Sequence, residues 1–147
     1  MSYSVSEFSS KYALKHFKVF ENDNWIVSLR PEQKTPFSMI ISVKADIFQM
    51  RDLDRFQVLE LQECYNFIEN VCYDELKVTK LNYLCLMMID SIVHFHVFPR
   101  FEKPFEHGPY KLPDKYFPMP VDLTDGCLLN IKVIKKVFQE FLGISPK

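Results

Sequence analysis

Residues 92–101, IVHFHVFPRF, alternate along their length in a way that fits a β-strand. Strand side chains point to opposite faces in turn, so Ile92, His94, His96 and Phe98 share one face and Val93, Phe95 and Val97 the other. The second face reads as core, and Pro99-Arg100 ends the run. Just before it, LNYLCLMMI at residues 81–89 is apolar on both alternating faces, the pattern of a central strand paired on both edges. Asp90 and Ser91 read as a tight turn, which sets the histidine strand antiparallel to the central one. A chain built around that hairpin is a sheet protein, and the remaining segments must be arranged on it.

The flanking segments supply the rest of a single domain over residues 1–147. FKVFENDNWIVSLR, residues 17–30, places two β-prone runs around a polar turn, and FSMIISVK adds a third strand. Residues 52–72 carry Val58, Leu61, Tyr65, Ile68 and Cys72 at steps of three and four, an amphipathic helix with Asp52 placed to cap it. Six of the nine prolines follow between Pro99 and Pro120, too many for regular structure, so an ordered surface excursion is expected there. Residues 124–142 form a last helix, with Leu128, Ile131, Ile134, Phe138 and Phe141 on one stripe and Gly143 as its stop. The expected class is therefore α+β, a five-stranded antiparallel sheet with two helices.

Several functions are excluded by what is missing. Gly108, Gly126 and Gly143 are the only glycines, so neither a dinucleotide fingerprint nor a phosphate-cradling glycine loop can be built. A formal charge of -1 provides no field for nucleic acid or an anionic membrane, and no apolar run approaches the length of a membrane span. No apolar signal core opens the chain, and Cys64, Cys72, Cys85 and Cys127 form no C-x-x-C pair. A cytoplasmic protein with reduced, buried thiols is expected.

What remains is the histidine pair. His94 and His96 stand roughly 6.6 Å apart along a strand on one face, where each can serve as nucleophile, proton carrier, phosphate contact or metal ligand. A neutral imidazole, with an unperturbed pKa near ~6.5, has a lone pair that can attack phosphorus without a separate base. A metal site is the competing use of H-x-H, with Glu102, Glu106, His107 or Cys85 as the third ligand, but none stands at a spacing that repeats a known site. His16 and His107 read as structural residues.

LNYLCLMMIDSIVHFHVFPRF resembles the signature of the histidine triad family of nucleotide hydrolases and transferases, in a compact hydrolase-like subgroup. That family carries three alternating histidines followed by two apolar residues and Pro-Arg. His96 matches the third, His94 the middle one, and Ile92 stands where the first would be. NWIVSLRPEQKT and YFPMPVDL extend the likeness over residues 17–123. The family's glycine before the third strand is absent here, with Phe37 near that place.

The resemblance implies a nucleotidyl-histidine intermediate on His94, formed at the α-phosphate of a nucleotide or nucleotide conjugate, with His96 as a phosphate contact. It places Ser28 near the ribose and Leu29 against the base, and makes Asp90, Ser91 and Arg100 candidates for binding the phosphate. It requires no cofactor and no metal, and it suggests a homodimer, for which Phe56, Leu59 and Phe67 lie off the main stripe of the first helix. A relative that keeps the pocket as a nucleotide-binding module, turning over slowly or not at all, is the other outcome that the loss of the first histidine allows.

Overall fold

The computed structural model describes residues 4–126 and 128–143, so Cys127 lies outside the described residues. Strands β1 (Lys18–Glu21), β2 (Trp25–Leu29), β3 (Met39–Val43), β4 (Lys80–Leu84) and β5 (His94–Arg100) form one antiparallel sheet in the order β1-β2-β3-β5-β4. One face carries Trp25, Val27, Met39, Ile41 and Val43, all fully buried, and its Phe95 packs with Tyr65 of α2 (Arg55–Glu69). Burial of this face is the main driving force for the fold.

Why α2 begins where it does is settled by one carboxylate. The Asp54 side chain accepts from the Gln57 backbone N–H while the Gln57 side chain reaches back to the Asp54 backbone, a reciprocal cap. Asp52, expected as the cap, instead closes a 3-10 turn over Met50–Asp52. Leu61, Cys64 and Ile68 form the buried stripe, and a π-helical turn over Asn70–Glu75 carries Cys72 into the core. Val58, expected on that stripe, is 51% exposed beside Phe56 and Leu59. The Trp25 indole N–H donates to the Gln57 carbonyl at 2.7 Å, pinning the helix start to the sheet.

Three further expectations are corrected. The segment read as a central strand is an edge: among the described residues β4 pairs only with β5, it ends at Leu84, and residues 85–93 return by a wide loop rather than a tight turn. The rest of that apolar run is not core, for Leu86, Met88 and Ile89 are exposed, as is Cys85. The proline-rich stretch holds a small hairpin of β6 (Phe105–His107) and β7 (Tyr110–Leu112), with Gly108 at φ +53 in its turn. Regular pairing survives there because Pro104, Pro109 and Pro113 sit outside the two ladders.

The last helix, α3 (Ile131–Leu142), starts later than its apolar pattern suggests. Asn130 caps it through the Lys132 N–H, while Leu128 remains exposed outside it. Gly143 ends it in the left-handed conformation. α3 sends Phe138 against Phe37, which is fully buried at φ +66 and meets Phe105 edge to face at 5.0 Å. A short helix, α1 (Val5–Lys11), comes in addition to those expected. Ser4 caps it, and it lies across the sheet face opposite α2. Among the described residues no helix is long and apolar enough to cross a membrane.

Candidate active site

The sheet face opposite α2 carries the two histidines. His94 and His96 project from β5 with their rings 5.0 Å apart and nearly perpendicular, and they are only 2% and 7% exposed. Their polar partners differ, and those partners fix where the protons sit. His94 Nδ1 lies 2.7 Å from the Ile92 carbonyl oxygen. That oxygen only accepts, so Nδ1 carries the hydrogen and Nε2 keeps its lone pair. His96 Nδ1 receives the Arg30 Nε–H at 3.2 Å. A guanidinium only donates, so Nδ1 is the acceptor and the proton is on Nε2.

Electrostatics reinforces this neutral pair. Burial lowers the pKa of His94, opposed by its bond to Ile92 and by Asp90. Burial also pushes His96 down to about 3, with the Arg30 charge acting in the same direction. At neutral pH one ring offers a free nitrogen and the other a hydrogen-bond donor. The orienting group for His94 is the backbone carbonyl of Ile92, so the side chain at position 92 is not needed for that bond. Ile92→Val is accordingly expected to cost ~0.5 to 1.5 kcal/mol in a denaturant melt while leaving the His94 tautomer seen by nitrogen NMR unchanged.

α1 closes the site from above. Phe8, fully buried, packs on the His94 ring at 4.7 Å, and Tyr12 meets His96 edge-on at 6.4 Å. Asp90 holds this cover down by accepting from Lys11 Nζ at 2.6 Å and from the Tyr12 hydroxyl at 2.7 Å. At the far end the Val5 N–H donates to Asp46 at 2.6 Å.

The other expected residues fall into separate places. Ser28 shares the histidine face, but its hydroxyl is fully buried and donates to the Leu14 carbonyl at 2.6 Å. Leu29 alternates to the opposite face and is core. Ser91 places its hydroxyl in a buried position with no hydrogen-bond partner among the described residues, close in sequence to the pair. Arg100 is engaged elsewhere: it grips Asp114 with two nitrogens at 2.7 and 3.3 Å, Asn82 at 2.9 Å and the Met119 carbonyl at 2.7 Å. The structure thus brings together His94, His96 and, through α1, Asp90, and commits Arg100 to fastening the 100–119 excursion.

Arg30 was not foreseen. Alternation through Ile26 and Ser28 puts it on the histidine face, but the following Pro31 makes it look like a turn residue. The α1 contacts had no readable signal, because a seven-residue helix is too short for a periodic stripe. Among the described residues no group of three or more His, Cys, Asp or Glu side chains is arranged to hold a metal.

No family model and no curated protein sequence matches the chain. Solved structures do. A histidine triad protein from Sinorhizobium meliloti 1021 superposes with a TM-score of 0.68 at 16% identity, covering 93% of each chain. The chain has the histidine triad fold. A histidine triad protein from Marinobacter aquaeolei VT8 shares that fold at a TM-score of 0.66 and 17% identity, over 91% of this chain and 93% of that one. The diadenosine triphosphate hydrolase of Plasmodium falciparum follows at 0.59 and 11%, over 88% and 76%. The resemblance of residues 81–101 to the family signature implied this fold, and the five-stranded antiparallel sheet agrees.

Proposed function

We propose that the protein is a nucleotide hydrolase or nucleotidyl transferase that works at the α-phosphate through a nucleotidyl-histidine on His94. The observation that carries this reading is the complementary proton placement on His94 and His96. The lone pair of His94 Nε2 forms the N–P bond as the bond from phosphorus to the leaving oxygen or nitrogen breaks; the leaving atom keeps the bonding pair and, where it is a nitrogen, takes a proton from solvent. The His96 Nε2–H and donors around Ser91 meet the charge that builds on the phosphoryl oxygens. A water, or an acceptor hydroxyl, then attacks the same phosphorus and gives up its proton to solvent, and the N–P bond returns its electrons to His94. The solved hydrolase with this fold supports the choice of an anhydride among possible substrates.

A nucleophile that is 2% exposed has to be uncovered before a nucleotide can reach it. The Phe8 contact and the Lys11 and Tyr12 bonds to Asp90 are what must give way. Ser28 becomes available to a ribose as a donor only if the Leu14 carbonyl leaves it. The same burial favours a second reading, a module that binds nucleotide and does not turn it over. Incubation with dinucleoside polyphosphates, nucleotide phosphoramidates and acyl nucleotides, followed by product detection and acid-quenched mass analysis, decides between them. An adduct of one nucleotidyl group on His94 supports the enzyme, and nucleotide binding with neither adduct nor product supports the module.

We also propose a homodimer. Phe56, Val58 and Leu59 on α2, together with Leu86, Met88 and Ile89 beyond the free edge of β4, leave large apolar side chains in water. Phe67, expected among them, is satisfied internally by stacking on Phe20 at 4.8 Å. Light scattering at micromolar concentration is expected to return twice the chain mass, and a monomeric mass would remove the proposal.

A further inference from the structure

We propose that Arg30 is the positioning residue that fixes the His96 proton on Nε2, so that His96 faces the reacting phosphate as a donor. This rests on the reading of His94 and His96 as a phosphoryl-transfer pair. An imidazole beside a neutral or mobile neighbour exchanges its proton between two nitrogens and presents a donor only part of the time. The Arg30 Nε–H, at 3.2 Å from Nδ1, removes that freedom, because two hydrogens cannot occupy the same contact.

Arg30 suits the task because it is itself immobilised. Its Nη1 donates to the Glu32 carbonyl at 2.8 Å, and its guanidinium lies 5.6 Å over the Phe98 ring, which in turn stacks on His96. Its backbone N–H donates to the Ser38 carbonyl at 2.7 Å, and its carbonyl accepts from the fully buried Gln33 amide at 2.7 Å. Gln33 also ties Ser38 at both its N–H and its carbonyl, so the whole 30–38 turn is stiffened around the arginine. A planar guanidinium held this way offers a donor of fixed direction, which a lysine ammonium cannot imitate.

The charged and titratable groups that face His96 are Arg30 just after β2, Lys11 of α1 and Tyr12 just after it, and His94 on its own strand, with Asp90 beyond Lys11 and Tyr12. A second proton on His96 would stand against the Arg30 cation at hydrogen-bond distance, so loss of Arg30 should let the ring charge more easily.

The test is nitrogen-15 NMR of the imidazoles in the full chain, which reads each ring nitrogen as protonated or bare. In the parent, His96 Nδ1 is expected to read as bare and Nε2 as protonated from pH 8 to pH 5. Arg30→Met should average the two nitrogens and raise the His96 midpoint by about one unit or more, and Arg30→Lys should keep the ring neutral while still averaging them. If Arg30→Met does not fold, Arg30→Lys alone decides. A His96 ring that keeps the parent pattern in the folded variants overturns the inference. Where turnover is found, the variants should lose ~10 to 100-fold in kcat with KM little changed, the size typical of removing an orienting group. A parent protein that shows the locked ring and no turnover would defeat the enzymatic reading while leaving Arg30 in this role.

Discussion

Replacing His94 with alanine is expected to abolish the nucleotidyl adduct and to lower turnover by ~10³-fold or more, because the other imidazole on this face of β5 has its unprotonated nitrogen engaged by Arg30. His96 cannot substitute, since its Nδ1 is occupied by Arg30 and its Nε2 carries the proton. The variant should also lose ~1 to 2 kcal/mol of stability, because the ring fills space beneath Phe8 and satisfies the Ile92 carbonyl. His94→Gln provides the control, filling the space without a nucleophile, and should be as inactive with less loss of stability. Rates are to be compared under single-turnover conditions, with the melting temperature measured alongside. Activity surviving in His94→Ala within tenfold of the parent would move the chemistry to another residue.

The second large effect is on folding. Arg100→Ala is expected to destabilise the protein by ~3 to 5 kcal/mol, the usual result of stripping one partner from a buried ion pair. Arg100 and Asp114 are 5% and 0% exposed, and Asp114 also accepts the backbone N–H groups of Phe101, Tyr116 and Phe117. This one carboxylate organises the turn after β7 and, through Arg100, fastens it to the end of the histidine strand. At roughly 2 to 4 °C per kcal/mol for a domain of this size, the melting temperature should fall by ~10 °C. Arg100→Lys should recover only part of it, lacking the two-pronged contact. A shift under ~1 kcal/mol would show that the pair is not structural and would return Arg100 to the list of phosphate contacts.

How much of this was legible depends on the kind of information each feature needs. Strand period and the H-x-H spacing are local, so the sheet face, the antiparallel pairing of β4 with β5 and the union of His94 with His96 all followed from the residues. Edge or centre is not local. The run at residues 81–89 has the same composition in either position; strand order puts β4 at the edge, and its end at Leu84 leaves Leu86, Met88 and Ile89 in the exposed loop. Caps are decided within two residues by geometry: Asp52 and Asp54 are both plausible, and only Asp54 has Gln57 three places on to return the bond. The site's remaining polar contacts join residues far apart in the chain, Arg30 to His96 and Lys11 to Asp90, and no spacing rule reaches that far. Phe37 falls between these cases. Its left-handed backbone marks the place where the resemblance expects a glycine, and the aromatic cluster around Phe37, Phe105 and Phe138 offsets the strain of a bulky residue there.

The covered histidines also make the proton a ligand of the unfolded chain. Once unfolded, both rings take up protons below their ordinary pKa near ~6.5, whereas in the native state burial holds both pKa values lower, that of His96 at about 3. Their contribution to stability is therefore fully present above ~6.5 and drains away as the pH falls toward those native values. Asp90, whose pKa burial raises, works in the opposite sense over the carboxylate range and offsets part of the loss. Acid thus bears on this fold by mass action, favouring the state in which α1 no longer shields the imidazoles and each additional proton finds a site to occupy.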